Sequence, residues 1–132
     1  MSTPPHPSEN DKLAEGRPIT STEELLRCYA AGERYFTDTD LPDGADLRSV
    51  TLEDAHFEHG FLHSADFRGA NLRGVRFNCN VKCADFSESD LTGASFEGAS
   101  VESAMFDGAV LEKTRFRGAW YMGNNLLDDE VP

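Results

Sequence analysis

His56, His59 and His63, together with Cys79 and Cys83, are the side chains in this sequence whose types could hold a metal ion. Zinc would ask four of them to converge in a tetrahedron. A second set is electrostatic: between Cys83 and Lys113 the charges on the outer positions are all acidic, Asp85, Glu88, Asp90, Glu97, Glu102, Asp107 and Glu112. Just before it the outer charges are basic, Arg68, Arg73, Arg76 and Lys82. An acidic girdle of this kind could dock a positive groove on a partner, or adjacent segments could simply neutralise each other. A third set is apolar, Trp120, Met122 and Phe61, residue types that mark protein interfaces but also cap chain ends. No Ser-His-Asp set, glycine-rich phosphate loop or paired-carboxylate cleft is visible, so catalysis and a cofactor are not expected.

Which of these side chains meet depends on the elements that carry them. With 132 residues the chain suits one domain. Its formal charge of −12 argues against direct binding to nucleic acid or an anionic membrane by simple attraction. No apolar run approaches the roughly 20 residues of a membrane span, and the first residues lack a basic head followed by an apolar stretch. Three cysteines, Cys28, Cys79 and Cys83, do not make a secreted disulfide framework. Reduced thiols and a cytoplasmic location are the expectation.

Residues 1–20, rich in proline and polar side chains, read as a disordered tail. Residues 21–33 read as one helix, with Ser21 and Glu24 as a capping box and Gly32 closing the end. From residue 34 to 128 everything runs in fives, leaving 129–132 as a C-terminal tail. The large apolar centres are Phe36, Leu41, Leu47, Leu52, Phe57, Leu62, Phe67, Leu72, Phe77, Val81, Phe86, Leu91, Phe96, Val101, Phe106, Leu111, Phe116, Tyr121 and Leu126. Phe61 is the only phenylalanine off this register. From position 45 onward, the residue two positions before each centre is most often alanine and otherwise Val, Gly, Cys, Ser, Thr or Asn.

A period of five suits neither a helix nor a flat strand. It suits a coil that turns a corner after every unit, so that each centre points at the axis and successive coils stack about 4.8 Å apart. From Phe57 to Phe116 the centres alternate between phenylalanine and leucine or valine. Four sides per coil would stack the phenylalanines on two opposite sides; three would mix them. The alternation survives the single missing residue between Phe77 and Val81, which predicts a shortened corner there. An extra residue, Gly44, falls where the array begins.

The units "ADFRG", "ANLRG", "ADFSE", "SDLTG" and "ASFEG" resemble the A(D/N)LxX repeats of pentapeptide-repeat proteins, and "ELLRCYAAGERYF" is similar to the helix that often leads into them. The resemblance implies an all-β solenoid, a right-handed quadrilateral β-helix with a short N-terminal capping α-helix. It also implies a non-enzymatic, rigid protein-binding module. In quinolone-resistance members of that family, likeness to B-DNA in size and charge lets the protein occupy the DNA site of gyrase, which is the alternative function here. The charge bookkeeping fits it less well: residues 1–44 contribute −5, residues 128–132 contribute −3, and the array between them only −4.

On this frame Cys79 takes an inward small position and His56 and His63 face apart around a corner, so no metal site is expected. Trp120 and Met122 flank the Tyr121 centre and point outward, unless the tail through Leu127 covers them. Phe61 is expected outward on the same side. The expected partners are an unidentified protein and a second copy joined through the C-terminal coil, with no small-molecule substrate.

Overall fold

The computed structural model describes residues 18–126 and 131–132. The expected tail, up to residue 17, and residues 127–130 of the C-terminus lie outside them. The first element is α1 (Thr22–Ala30), whose Ser21 hydroxyl accepts from the Glu24 amide at 3.1 Å. It ends in a Schellman arrangement: the Gly32 amide donates to Tyr29 and the Glu33 amide to Cys28, with Gly32 at φ +105°. Leu25 turns inward and is fully buried, and the Tyr29 hydroxyl donates to the Glu53 carbonyl at 2.9 Å.

Three parallel strands follow, β1 (Tyr35–Asp40), β2 (His56–Phe61) and β3 (Arg76–Asn80), in the order β1-β2-β3. Beyond them the chain continues as single parallel bridges rather than strands. Each bridge joins residues 19 or 20 apart, such as Asp46 to Asp66, Asp66 to Asp85 and Asp85 to Met105. Four five-residue units therefore make one coil, and four ladders of rungs run along the molecule.

The reason for the period is visible in one unit, Asp66–Ala70, where every backbone N–H has a separate destination. Asp66 donates to Ala45 in the coil before, while Phe67 and Gly69 donate to Asp85 and Ser87 in the coil after. Ala70 donates back to Phe67 across the corner, and the Arg68 amide is taken by the Asp66 side chain at 3.1 Å. The last bond explains the recurring Asp or Asn, since a side-chain oxygen there satisfies the one amide that neither the corner nor the ladder uses. The same contact recurs at Asn71, Asn80, Asp85, Asp90 and Ser95. The second residue after the centre sits at positive φ, as Gly69 does at +69°, the conformation that turns the corner.

The centres fill the axis. One phenylalanine column, Phe36, Phe57, Phe77, Phe96 and Phe116, stacks with ring centroids 5.0–5.8 Å apart. A facing column, Phe67, Phe86 and Phe106, stacks at 5.1 and 5.3 Å. The two columns meet edge to face with centroids 5.4 to 5.7 Å apart. At that separation aromatic rings are in packing contact, so no channel is left between the columns. The leucine and valine centres occupy the other two sides.

Both irregularities lie where the sequence puts them. Between β1 and β2, Tyr35 pairs with His56 and Phe36 with Phe57, one position beyond the usual spacing, which accommodates Gly44. Between β2 and β3, Glu58 faces Asn78 but Phe61 faces Asn80. The β2 strand thus carries one extra residue as a bulge over the shortened corner.

The two ends differ from the expected frame. The centres of the first coil are all buried, whereas Phe106 and Leu111 are only half-buried because, among the described residues, no further coil covers their sides. Leu126 is not the centre of a further unit. After Tyr121 the chain reverses into a hairpin, β4 (Trp120–Tyr121) against β5 (Asn124–Asn125), with Leu126 bonded to Ala119 and Gly118. Met122 and Gly123, at φ +53° and +80°, form the two-residue turn. Positive φ at both positions is what such a hairpin turn requires. Among the described residues no helix is long and apolar enough to cross a membrane.

Candidate partner-binding surface

The ladder that leads to Trp120 runs Asp40, Phe61, Asn80, Ser100, Trp120. Phe61 and Trp120 thus share a side and both are exposed, at 54% and 42%. They do not form one patch: Asn80 and Ser100 stand between them, and three steps of about 4.8 Å separate the two rings. Met122, 70% exposed, projects from the hairpin turn beside Trp120. Phe61 instead borders an open groove of about 520 Å³ beside the bulge, lined by Asp38, Asp40, His59, Asn80 and Ser100 among others.

The acidic residues do not form a ladder. The four sides are counted in chain order from the ladder of Tyr35, His56, Arg76, Ser95 and Arg115. Asp85, Glu88 and Asp107 then lie on the third side, Asp90 and Glu112 on the fourth, Glu97 on the first and Glu102 on the second, so they surround the coils. Three of the seven lie against bases of the coil below: Arg68 with Asp85 at 3.9 Å, Arg73 with Asp90 at 3.1 Å and Lys82 with Glu102 at 3.6 Å. Among the described residues Glu88, Glu97, Asp107 and Glu112 take part in no ion pair. A further column, Asp46 and Asp66, is gripped from within its own units by Arg48 and Arg68 at 2.9 and 2.8 Å. The Arg48 hydrogen bond holds the Asp46 carboxyl down to about 2, and Arg68 lowers Asp66 in the same way. The hydroxyl of Thr92, then its amide and Arg73, lower Asp90.

The histidines and cysteines are held apart. The His56 ring stands edge-on to Tyr35, His63 faces Asp43 at 3.4 Å, and His59 occupies a positive-φ corner. Cys79 fills the inward small position, and burial pushes its thiol up to about 12. Cys83 is exposed. Among the described residues no group of three His, Cys, Asp or Glu side chains converges as a metal site.

Among the exposed apolar residues that escaped the sequence reading are Met105 and Val110 on the last coil. Their signal is present: each stands immediately before a centre, in the slot that Asp, Asn or Thr fills lower on the same ladder. The family described as pentapeptide repeats matches residues 45–79 and 84–119 in eight copies. This chain belongs to the pentapeptide-repeat family. The gap between the matched blocks falls beside the shortened corner. A solved pentapeptide repeat protein from Nostoc Pcc 7120 is 31% identical over 83% of this chain and 88% of its own, with a TM-score of 0.44. The pentapeptide repeat protein Rfr23 from the cyanobacterium Cyanothece 51142 is 22% identical over 84% and 83%, with a TM-score of 0.46. QnrB1, a plasmid-mediated fluoroquinolone resistance protein, is 20% identical over 66% and 70%, with a TM-score of 0.31. No curated protein matches the chain.

Proposed function

We propose that this pentapeptide-repeat protein is a right-handed quadrilateral β-helix capped by α1, and that it works without catalysis as a rigid surface for another protein. The observation that supports this reading most is the exposed pair Trp120 and Met122 on the hairpin. An indole and a thioether held at the end of a filled, stiff stack present contact area that needs little ordering on binding. The packed phenylalanine columns leave the axis no room for a substrate, so recognition falls to the outer positions.

The DNA-mimic alternative relies on charge, and its acidic residues are dispersed over four sides and partly paired with Arg68, Arg73 and Lys82. One experiment separates the two. The full chain and its Trp120→Ala variant serve as bait in crosslinking capture from cell extract, at low and high salt. Loss of the captured protein with Trp120→Ala, and retention at high salt, is the expected result. Capture that is indifferent to Trp120 but collapses with salt, together with inhibition of gyrase supercoiling, would replace this reading with the charge-based one.

A further inference from the structure

The ladder of the first side reads Tyr35, His56, Arg76, Ser95 and Arg115. Its rungs occupy the slot before the centre, where Asp66, Asn71, Asn80, Asp85 and Asp90 on the other sides accept the amide two residues on. An arginine has no acceptor and cannot make that bond. Two units on one side thus give up a local contact and hold a guanidinium there instead. Elsewhere on the coils Arg48, Arg68, Arg73 and Lys82 each meet a carboxylate. Arg76 and Arg115 meet none among the described residues, and both are exposed.

Both arginines line one open groove of about 670 Å³, with Ser95 between them and His56 at one edge. Two steps of about 4.8 Å separate Arg76 from Arg115, close enough for side chains of that length to meet over Ser95. The Ser95 hydroxyl accepts the Glu97 amide at 3.2 Å, which leaves its own proton to donate outward. Two carboxylates also line the groove, Glu58 and Glu97. Glu58 lies on the His56 coil, below Arg76, and accepts the Tyr35 hydroxyl. Glu97 shares an adjoining recess with Arg115 and Arg117. The carboxylate nearer to Ser95 is therefore outnumbered by guanidinium groups.

We infer that this groove is a docking site for a phosphorylated side chain on a partner protein. A phosphomonoester carries close to two negative charges and several strong acceptor oxygens, which a pair of guanidinium groups and a hydroxyl match in charge and in donors. A carboxylate offers half that charge, and a neutral peptide gives Arg76 and Arg115 nothing to pair with. A nucleic acid brings its phosphates in a row, and the formal charge of −12 on the chain repels them. A single phosphate on an otherwise neutral or basic segment avoids that repulsion. The groove opens to solvent, which leaves room for the chain that bears the group. The inference goes beyond the proposed function, because it concerns the first side with Arg76 and Arg115, whereas that reading concerns Trp120 and Met122 at the hairpin.

The test presents the full chain with a peptide library that has one fixed phosphoserine and varied flanks, and with the same library lacking the phosphate. Selected sequences are then titrated calorimetrically. Phosphopeptides are expected to bind and their unphosphorylated twins to fail. Arg76→Gln and Arg115→Gln should each weaken binding by about tenfold or more, as loss of a charge-assisted hydrogen bond does. Both should melt where the wild type does, since the side chains they remove are exposed. Glu97→Gln, which removes the carboxylate beside Ser95, should tighten binding. Arg73→Gln, on the fourth side and facing Asp90, is the control that should bind unchanged. A phosphorylated library from which nothing is selected, equal binding of the two libraries, or binding that neither arginine variant weakens would overturn the inference. Inorganic phosphate binding as tightly as the phosphopeptide would replace the partner protein with a free phosphate ligand, and tighter binding of a single-stranded RNA would replace it with nucleic acid.

Discussion

Asp66 shows how much work one residue does in each unit: it accepts the Arg68 amide, grips the Arg68 guanidinium and lies 3.9 Å from Arg48 of the coil below. The consequence is a dependence on acid. Asp46, Asp66 and Asp90 all have carboxyls lowered in the folded chain. A lowered pKa means that the folded state binds the proton less readily than the unfolded state. The stabilisation is therefore present above the ordinary value of 3.8 and is lost as pH falls toward about 2. Thermal melting followed by circular dichroism should show the midpoint falling across that window. Asp66→Asn should melt lower at neutral pH and lose less on acidification; an identical acid profile would remove this column from the account. The sequence displayed the recurring Asp and Asn plainly. Their task was hidden, because a side-chain bond to the amide two residues on becomes visible only once the other four amides of the unit have been assigned.

At the scale of elements, the corners decide which residues are tolerated. Gly60, at φ +153° in β2, lies against the backbone of Thr39 in β1, and a methyl group there would run into the Thr39 carbonyl. Gly93, at φ +72°, has open space where its side chain would be. Gly60→Ala should therefore cost about 2–3 kcal/mol, since the coils must part to admit it. Gly93→Ala should cost only about 1 kcal/mol, from its backbone conformation alone. Urea denaturation of both variants checks the contrast, and equal losses would show that conformation rather than coil spacing governs these glycines. The five-residue period, the alternation of phenylalanine with aliphatic centres and the shortened corner were all legible, since each follows from which side chains must face the axis. The closing hairpin was not. Leu126 keeps the period, and only the pair Met122 and Gly123, both at positive φ, turns the chain back.

On the scale of the whole molecule, the two ends carry the functional argument, and they differ in a way that spacing alone does not reveal. A repeat reads the same at its middle and at its end. What distinguishes the last coil is the loss of its neighbour, which leaves Phe106 and Leu111 half-covered and their amides without a backbone partner among the described residues. The candidate site was accordingly only partly visible in the sequence. Trp120 and Met122 stood out by type, Phe61 proved to lie three rungs away, the acidic residues spread around the coils, and Met105 and Val110 passed unnoticed in a slot read for charge. Amide hydrogen exchange, measured on the chain alone and on the chain bound to its captured protein, tests most directly the claim that the terminal coil is a contact surface. The amides of Phe77 and Phe86, bonded to the next coil at 2.8 Å and 2.7 Å, should be protected throughout. Those of Phe106 and Leu111 should exchange fast in the chain alone and slow markedly once the partner is bound. Fast exchange that the bound partner leaves unchanged would contradict the account and return the terminal rim to plain solvent-facing edge.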